Sequence, residues 1–91
     1  MSGSESSGAS PTITIRYFAG ARAAAGVGEE TAPAGWSLEK LAADLTARRG
    51  PALGRVLEIA SFLVDGVVWR DRQAALPAGA TLDVLPPFAG G

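Results

Sequence analysis

The chain has 91 residues, 47% of them apolar, and a formal net charge of −1, which suits one small domain and argues against disorder throughout. It has no cysteine and no histidine, so disulfides, thiol nucleophiles, the usual zinc ligands and the commonest general base are excluded. A single lysine and the absence of a basic stripe argue against a nucleic-acid surface, and no apolar run approaches the roughly 18 residues that span a bilayer.

The opening "MSGSESSGAS" lacks a basic start and an apolar stretch, so it does not read as a secretory signal. Residues 1–11 read instead as a flexible polar tail, native or left by cloning. "TITIRYF" (Thr12 to Phe18) then alternates. Ile13, Ile15 and Tyr17 share one face, with Thr14, Arg16 and Phe18 on the other, as in a strand with one face in a core. The glycines of "AGARAAAGVG" (Ala19 to Gly28) weaken its alanine run, so the stretch reads as a loop with room for one helical turn. "EETAPAG" is read as a short strand that Pro33 confines to an edge or terminates.

"WSLEKLAADLTARRG" is the clearest helix. Ser37 is placed to cap it, and Glu39 lies in the first turn, where the helix dipole favours an acid. Leu38, Leu41, Ala42 and Leu45 make an i, i+3, i+4, i+7 stripe. Arg48 and Arg49 complement the dipole at the other end, Gly50 ends the helix and Pro51 bars its continuation. Trp36 precedes the cap and could staple the helix start. "PALGRVLEI" fits either a short helix or an irregular crossing. "ASFLVDGVVW" is a hairpin signal around Asp65-Gly66, and Trp69 after it reads as a core or sheet-face filler. "RDRQAALPAGA" is a polar connection, and "TLDVLP" (Thr81 to Pro86) is a last strand with Leu82 and Val84 inward. One amphipathic helix on one mixed sheet of four to five strands is a two-layer α+β domain, assigned to residues 12–85. Residues 86–91 form a second flexible tail, "PPFAGG", stiff at Pro86 and Pro87 and without side chains at Gly90 and Gly91.

This element order with a Gly-Gly ending resembles the ubiquitin-like β-grasp fold. More specifically it is similar to the MoaD/ThiS sulfur-carrier family, and within it to the MoaD branch. "IRYFAGARAAAG" looks like the family's first strand and following loop, "LPAGATLDVLPP" like its turn into the last strand, and "PPFAGG" like its Pro-Pro-x-x-Gly-Gly ending. Two departures exist. Ala23 and Ala24 follow Arg22 where members often carry an acid, and the polar N-terminal extension is unusual.

The resemblance implies a carrier, not an enzyme in its own right. An E1-like adenylyltransferase would use ATP and magnesium to adenylate the carboxylate of Gly91, and sulfur would then replace one oxygen to give a thiocarboxylate. The chain itself would bind no cofactor. Gly90 and Ala89 would thread a narrow channel behind Gly91, and Pro86 and Pro87 would project that thread from the domain. Phe18, Leu63 and Phe88 would be the partner-binding residues, Phe18 and Leu63 on the exposed sheet face. The receiving partner would be the molybdopterin synthase large subunit, in a heterotetramer of two small and two large subunits that makes molybdopterin in the cytoplasm. Two alternatives share the tail: a related sulfur carrier for thiamine, cysteine or a natural product, and, from another class, a ubiquitin-like modifier or non-covalent interaction module.

Overall fold

The computed structural model describes residues 10–87. Strand β1 (Thr12–Tyr17) leads into helix α1 (Ala19–Ala25), strand β2 (Glu29–Pro33), helices α2 (Leu38–Arg49) and α3 (Pro51–Ile59), the hairpin β3 (Ser61–Val64) and β4 (Val67–Val68), and strand β5 (Thr81–Leu85). The five strands form one sheet in the order β2-β1-β5-β3-β4. Strands β1 and β5 pair in parallel, with Arg16 opposite Asp83 and Tyr17 opposite Val84. The other three pairings are antiparallel. First and last strands therefore lie side by side inside the sheet, and the chain leaves β5 at the end where β1 gives way to α1.

Alternation decides which face is covered. Ile13, Ile15 and Tyr17 of β1, Leu82 and Val84 of β5, and Phe62 and Val64 of β3 all point to one side and are buried. Leu38, Leu41 and Leu45 of α2 and Leu53 and Leu57 of α3 close over them. Burying each of these Leu or Ile side chains is worth about 1.5–3 kcal/mol against leaving it in water. Helix α3 packs on both α1 and α2. The α2–α3 crossing is close: a methyl group added at Gly54 would stand 2.7 Å from Thr46 Cγ2.

The predicted stripe on α2 is the one buried, with Ala42 partly covered, and Ser37 caps the helix by accepting from the Lys40 amide at 3.1 Å. Two expectations need correction, and one left open between two alternatives is decided. The stretch after β1 is a two-turn helix, α1, not a loop. Its alanines favour the helix, Ala21 and Ala25 bury one face, and Gly26 supplies the left-handed C-cap at φ 83°. Residues 51–59 resolve as helix α3, and Pro51 starts it: proline is tolerated in the first turn, where the missing N–H has no partner to lose. The first strand ends at Tyr17, one residue early, because Phe18 is already the extended cap of α1.

The hairpin turn at Asp65-Gly66 forms as expected, both residues at positive φ (50° and 85°). It is also stitched to β5: the Asp65 amide donates to the Thr81 carbonyl and the Thr81 amide donates to the Asp65 carboxylate, both at 2.9 Å. The connection 69–80 is irregular, yet it drops Leu76 into the core and returns along α2, where Ser37 bridges Ala75. Trp69 packs partly buried against the core, with an indole N–H that has no hydrogen-bond partner among the described residues.

Candidate functional site

The three helices cover one sheet face and leave the other open. Strand alternation puts Thr14 and Arg16 of β1, Thr81, Asp83 and Leu85 of β5, and Ser61 and Leu63 of β3 on that open side. The register sets Asp83 between Arg16 and Leu63, Leu85 opposite Ser61, and Leu63 opposite Val68. Arg16 and Asp83 meet here in a two-pronged ion pair, Nε to Oδ1 at 2.7 Å and Nη2 to Oδ2 at 3.0 Å. The hydrogen bond and charge of Asp83 raise the Arg16 pKa further.

Apolar side chains flank this pair. Phe18 is 37% exposed, with the Arg16 guanidinium carbon 5.4 Å from its ring centroid. The Phe18 amide donates to the Val84 carbonyl at 3.2 Å, which ties it beside the end of β5. Leu63 is half-buried and faces away from the buried Phe62 and Val64, as its alternation predicts. Val68, 51% exposed, and Leu85, half-buried, extend the apolar surface on either side. A charged pair fixed between apolar anchors can recognise a protein surface: the apolar groups supply burial and the charges set orientation.

Pro86 and Pro87 continue from Leu85 at the edge of this surface, the first half-buried and the second exposed. Phe88, Ala89, Gly90 and Gly91 lie outside the described residues, as does most of the N-terminal tail. The structure thus places Phe18 and Leu63 on the open side, Phe18 near the two prolines where β5 ends and Leu63 opposite Asp83 in mid-strand. Sequence reasoning missed Arg16, Asp83, Val68 and Leu85. Their outward alternation was visible, but the parallel register that joins Arg16 to Asp83 was not.

Elsewhere, Glu30 of β2 ties β1 and α2 to its own strand. It takes Arg49 Nε and Nη2 at 2.8 and 3.0 Å, Arg48 at 3.4 Å, and the Tyr17 hydroxyl, while Arg49 also donates to the Ala25 carbonyl at 3.1 Å. Arg48 and Arg49 therefore do more than complement the helix dipole. Arg22 is exposed and makes no ion pair among the described residues. Among the described residues there is no cluster of His, Cys, Asp or Glu side chains fit to hold a metal, and no helix long and apolar enough to cross a membrane.

The ThiS family model matches residues 15–91, from the first strand through the final glycine. The chain belongs to the ThiS family. Solved structures share the fold of this ThiS-family chain. A Pyrococcus furiosus protein provisionally described as molybdopterin converting factor subunit 1 is 24% identical, with a TM-score of 0.67 over 86% of this chain and 99% of that one. The small archaeal modifier protein 1 of Methanosarcina acetivorans is 22% identical, with a TM-score of 0.73 over 89% and 97%. A complex of subunits 1 and 2 of the molybdopterin-converting factor from Helicobacter pylori matches at 20% identity, with a TM-score of 0.64 over 88% and 99%. No match was found among curated protein sequences. The fold is thus the ubiquitin-like β-grasp of ThiS- and MoaD-type sulfur carriers, a family of small carrier subunits.

Proposed function

We propose that this ThiS-family chain carries sulfur as a thiocarboxylate on Gly91 and donates it in molybdopterin biosynthesis, as the small subunit of molybdopterin synthase. The observation that carries the reading is the extent of the family match, which runs through "PPFAGG" to residue 91. An E1-like adenylyltransferase, with ATP and magnesium, activates the Gly91 carboxylate. A free α-carboxyl titrates near ~3.5 and is an anion at neutral pH, able to attack the α-phosphate of ATP without help from this chain. Glycine at positions 90 and 91 lets the backbone pass close to channel walls, and Pro86 and Pro87 hold the exit extended. Phe88 anchors the tail in an apolar partner pocket.

The open face around Arg16, Asp83, Phe18 and Leu63 docks the large subunit, in a complex of two small and two large subunits. The pairing of subunits 1 and 2 in the Helicobacter pylori structure supports this choice of partner. A second reading, a ubiquitin-like modifier, is favoured by the likeness to small archaeal modifier proteins. Carriage for thiamine, cysteine or a natural product would use the same tail.

Incubation of the full chain with its adenylyltransferase, magnesium-ATP and a sulfur donor exchanges one oxygen for sulfur at Gly91, read by intact-mass spectrometry. Deletion of Gly91 abolishes the exchange. An unchanged mass for the intact chain with an active, matched partner defeats the proposal.

A further inference from the structure

A cavity of about 250 Å³ opens at the β4 edge of the sheet, where α3 gives way to β3 and the chain leaves β4. Phe62, Val68 and Trp69 line it with apolar surface, and Ser61, Arg70 and Arg72 line it with polar groups. Arg16, Arg48 and Arg49 each have a carboxylate partner, whereas Arg70 and Arg72 make no ion pair among the described residues. The acid between them in sequence, Asp71, is taken by the Gln73 amide at 2.9 Å. Glu39 and Glu58 share a neighbouring hollow with Arg72 but do not pair with it.

The two cations stand on tied backbone. The Trp69 amide donates to the Phe62 carbonyl at 2.8 Å, one residue past β4, so Arg70 leaves from a fixed point. The Arg72 carbonyl accepts from the Glu39 amide at 2.9 Å, which pins it to the start of α2. The Arg72 guanidinium carbon lies 5.4 Å from the centroid of the buried Phe62 ring. A guanidinium resting on an aromatic face is weakly hydrated and keeps N–H groups free for an anion. Trp69, on the same wall, carries a buried indole N–H without a hydrogen-bond partner. It is the one buried side-chain donor among the described residues that lacks an acceptor, and such a group calls for an explanation in a bound acceptor.

We propose that this cavity binds a phosphate group, free or as the phosphate monoester of a small molecule. Phosphate suits the donors better than a carboxylate does. It carries a charge of about −1.5 to −2 at neutral pH and presents three strong acceptor oxygens, so two guanidiniums can share it, each through paired N–H groups. The exposed Ser61 hydroxyl adds a donor at the rim. The volume falls below the roughly 300–1,000 Å³ of pockets that enclose a whole drug-sized ligand. It fits one anionic group whose remainder lies outside against Val68, 51% exposed. The site uses neither the Arg16–Asp83 pair nor Gly91, so it stands or falls apart from sulfur carriage.

The test is a titration of the isotope-labelled full chain with inorganic phosphate at constant ionic strength, followed by nuclear magnetic resonance. The Trp69 indole and the Arg70 and Arg72 side-chain N–H signals should move together on one saturable curve. Arg70→Gln and Arg72→Gln should each weaken binding by about tenfold or more. Arg72→Lys, which keeps the charge and loses the fork, should weaken it as well. Arg55→Gln, at an exposed position of α3 outside the cavity, should leave binding unchanged. Thermal melts of the four variants check that each is folded, and the exposed Arg70 is the one least able to disturb the core. Phenyl phosphate forms the second arm: tighter binding than inorganic phosphate assigns the site to monoesters, and binding no tighter assigns it to the free ion. Shifts that grow without saturating, an equal loss in Arg55→Gln, or acetate bound as tightly as phosphate overturns the proposal.

Discussion

Glu30 shows how one residue can hold several elements. Its side chain is 13% exposed and that of Arg49 24%, so their ion pair is shielded from solvent more than a surface bridge is. Burial alone would push the Glu30 carboxyl up, but hydrogen bonds from Arg49 and Tyr17 and the charges of Arg49 and Arg48 outweigh it and hold its pKa below the usual carboxylate value. The same contact acts in the opposite direction on Tyr17: burial and the adjacent Glu30 raise the phenol. A carboxyl depressed by folding stabilises the native state above its unfolded pKa, and that contribution is lost as pH falls through the folded value. Glu30→Gln should therefore lower the melting temperature at pH 7, and the gap to the wild type should narrow as pH falls below about 4.3, the ordinary glutamate value. Thermal melts across pH 3–7 check this, and a gap independent of pH would mean that the glutamine loses packing rather than charge.

Among the elements, the strands, the hairpin and α2 were legible because each carries a local signal: period-two alternation, the Asp65-Gly66 pair, and a capped apolar stripe. Helix α1 was not, and α3 was left open between a helix and an irregular crossing, for different reasons. In α1, the glycines that weaken the sequence pattern lie at its second position and just beyond its end. Gly26 serves as the cap, so what looked like a breaker is the stop. In α3, Pro51 looked like an end and is a beginning. Gly54 is the cost of that arrangement, a poor helix former retained where α3 crosses Thr46. Gly54→Val should destabilise the domain by about 1–3 kcal/mol through overpacking, seen as a lower denaturant midpoint. Unchanged stability would mean that the two helices can separate freely. Of the candidate site, Phe18 and Leu63 were visible from alternation. The ion pair between them was not, because its partners are 67 residues apart and meet only through the parallel register.

For the whole molecule, the division into a helical side and an open side separates the core from the surface proposed for docking. The core lies beneath the helices, so the open face can change at modest structural cost. Phe18→Ala should leave the fold intact and weaken binding to the proposed large-subunit partner at least tenfold, about 1.4 kcal/mol, as read by titration calorimetry. Full affinity in the variant would place docking on another surface. The reactive group proposed at Gly91 is distinct from both: it would belong to the main chain and need no side-chain chemistry from the domain.

The pairing of β1 with β5 has a consequence for which molecules a partner can accept. Arg16 comes from the first strand and Asp83 from the last, so the feature at the middle of the open face exists only when both ends of the domain are present and joined. A copy broken off before Thr81 would lack Asp83 and would leave the inward side of Ile13 and Ile15 without its neighbouring strand. On the proposed docking, a partner that grips the Arg16–Asp83 pair takes hold of the first and last strands together.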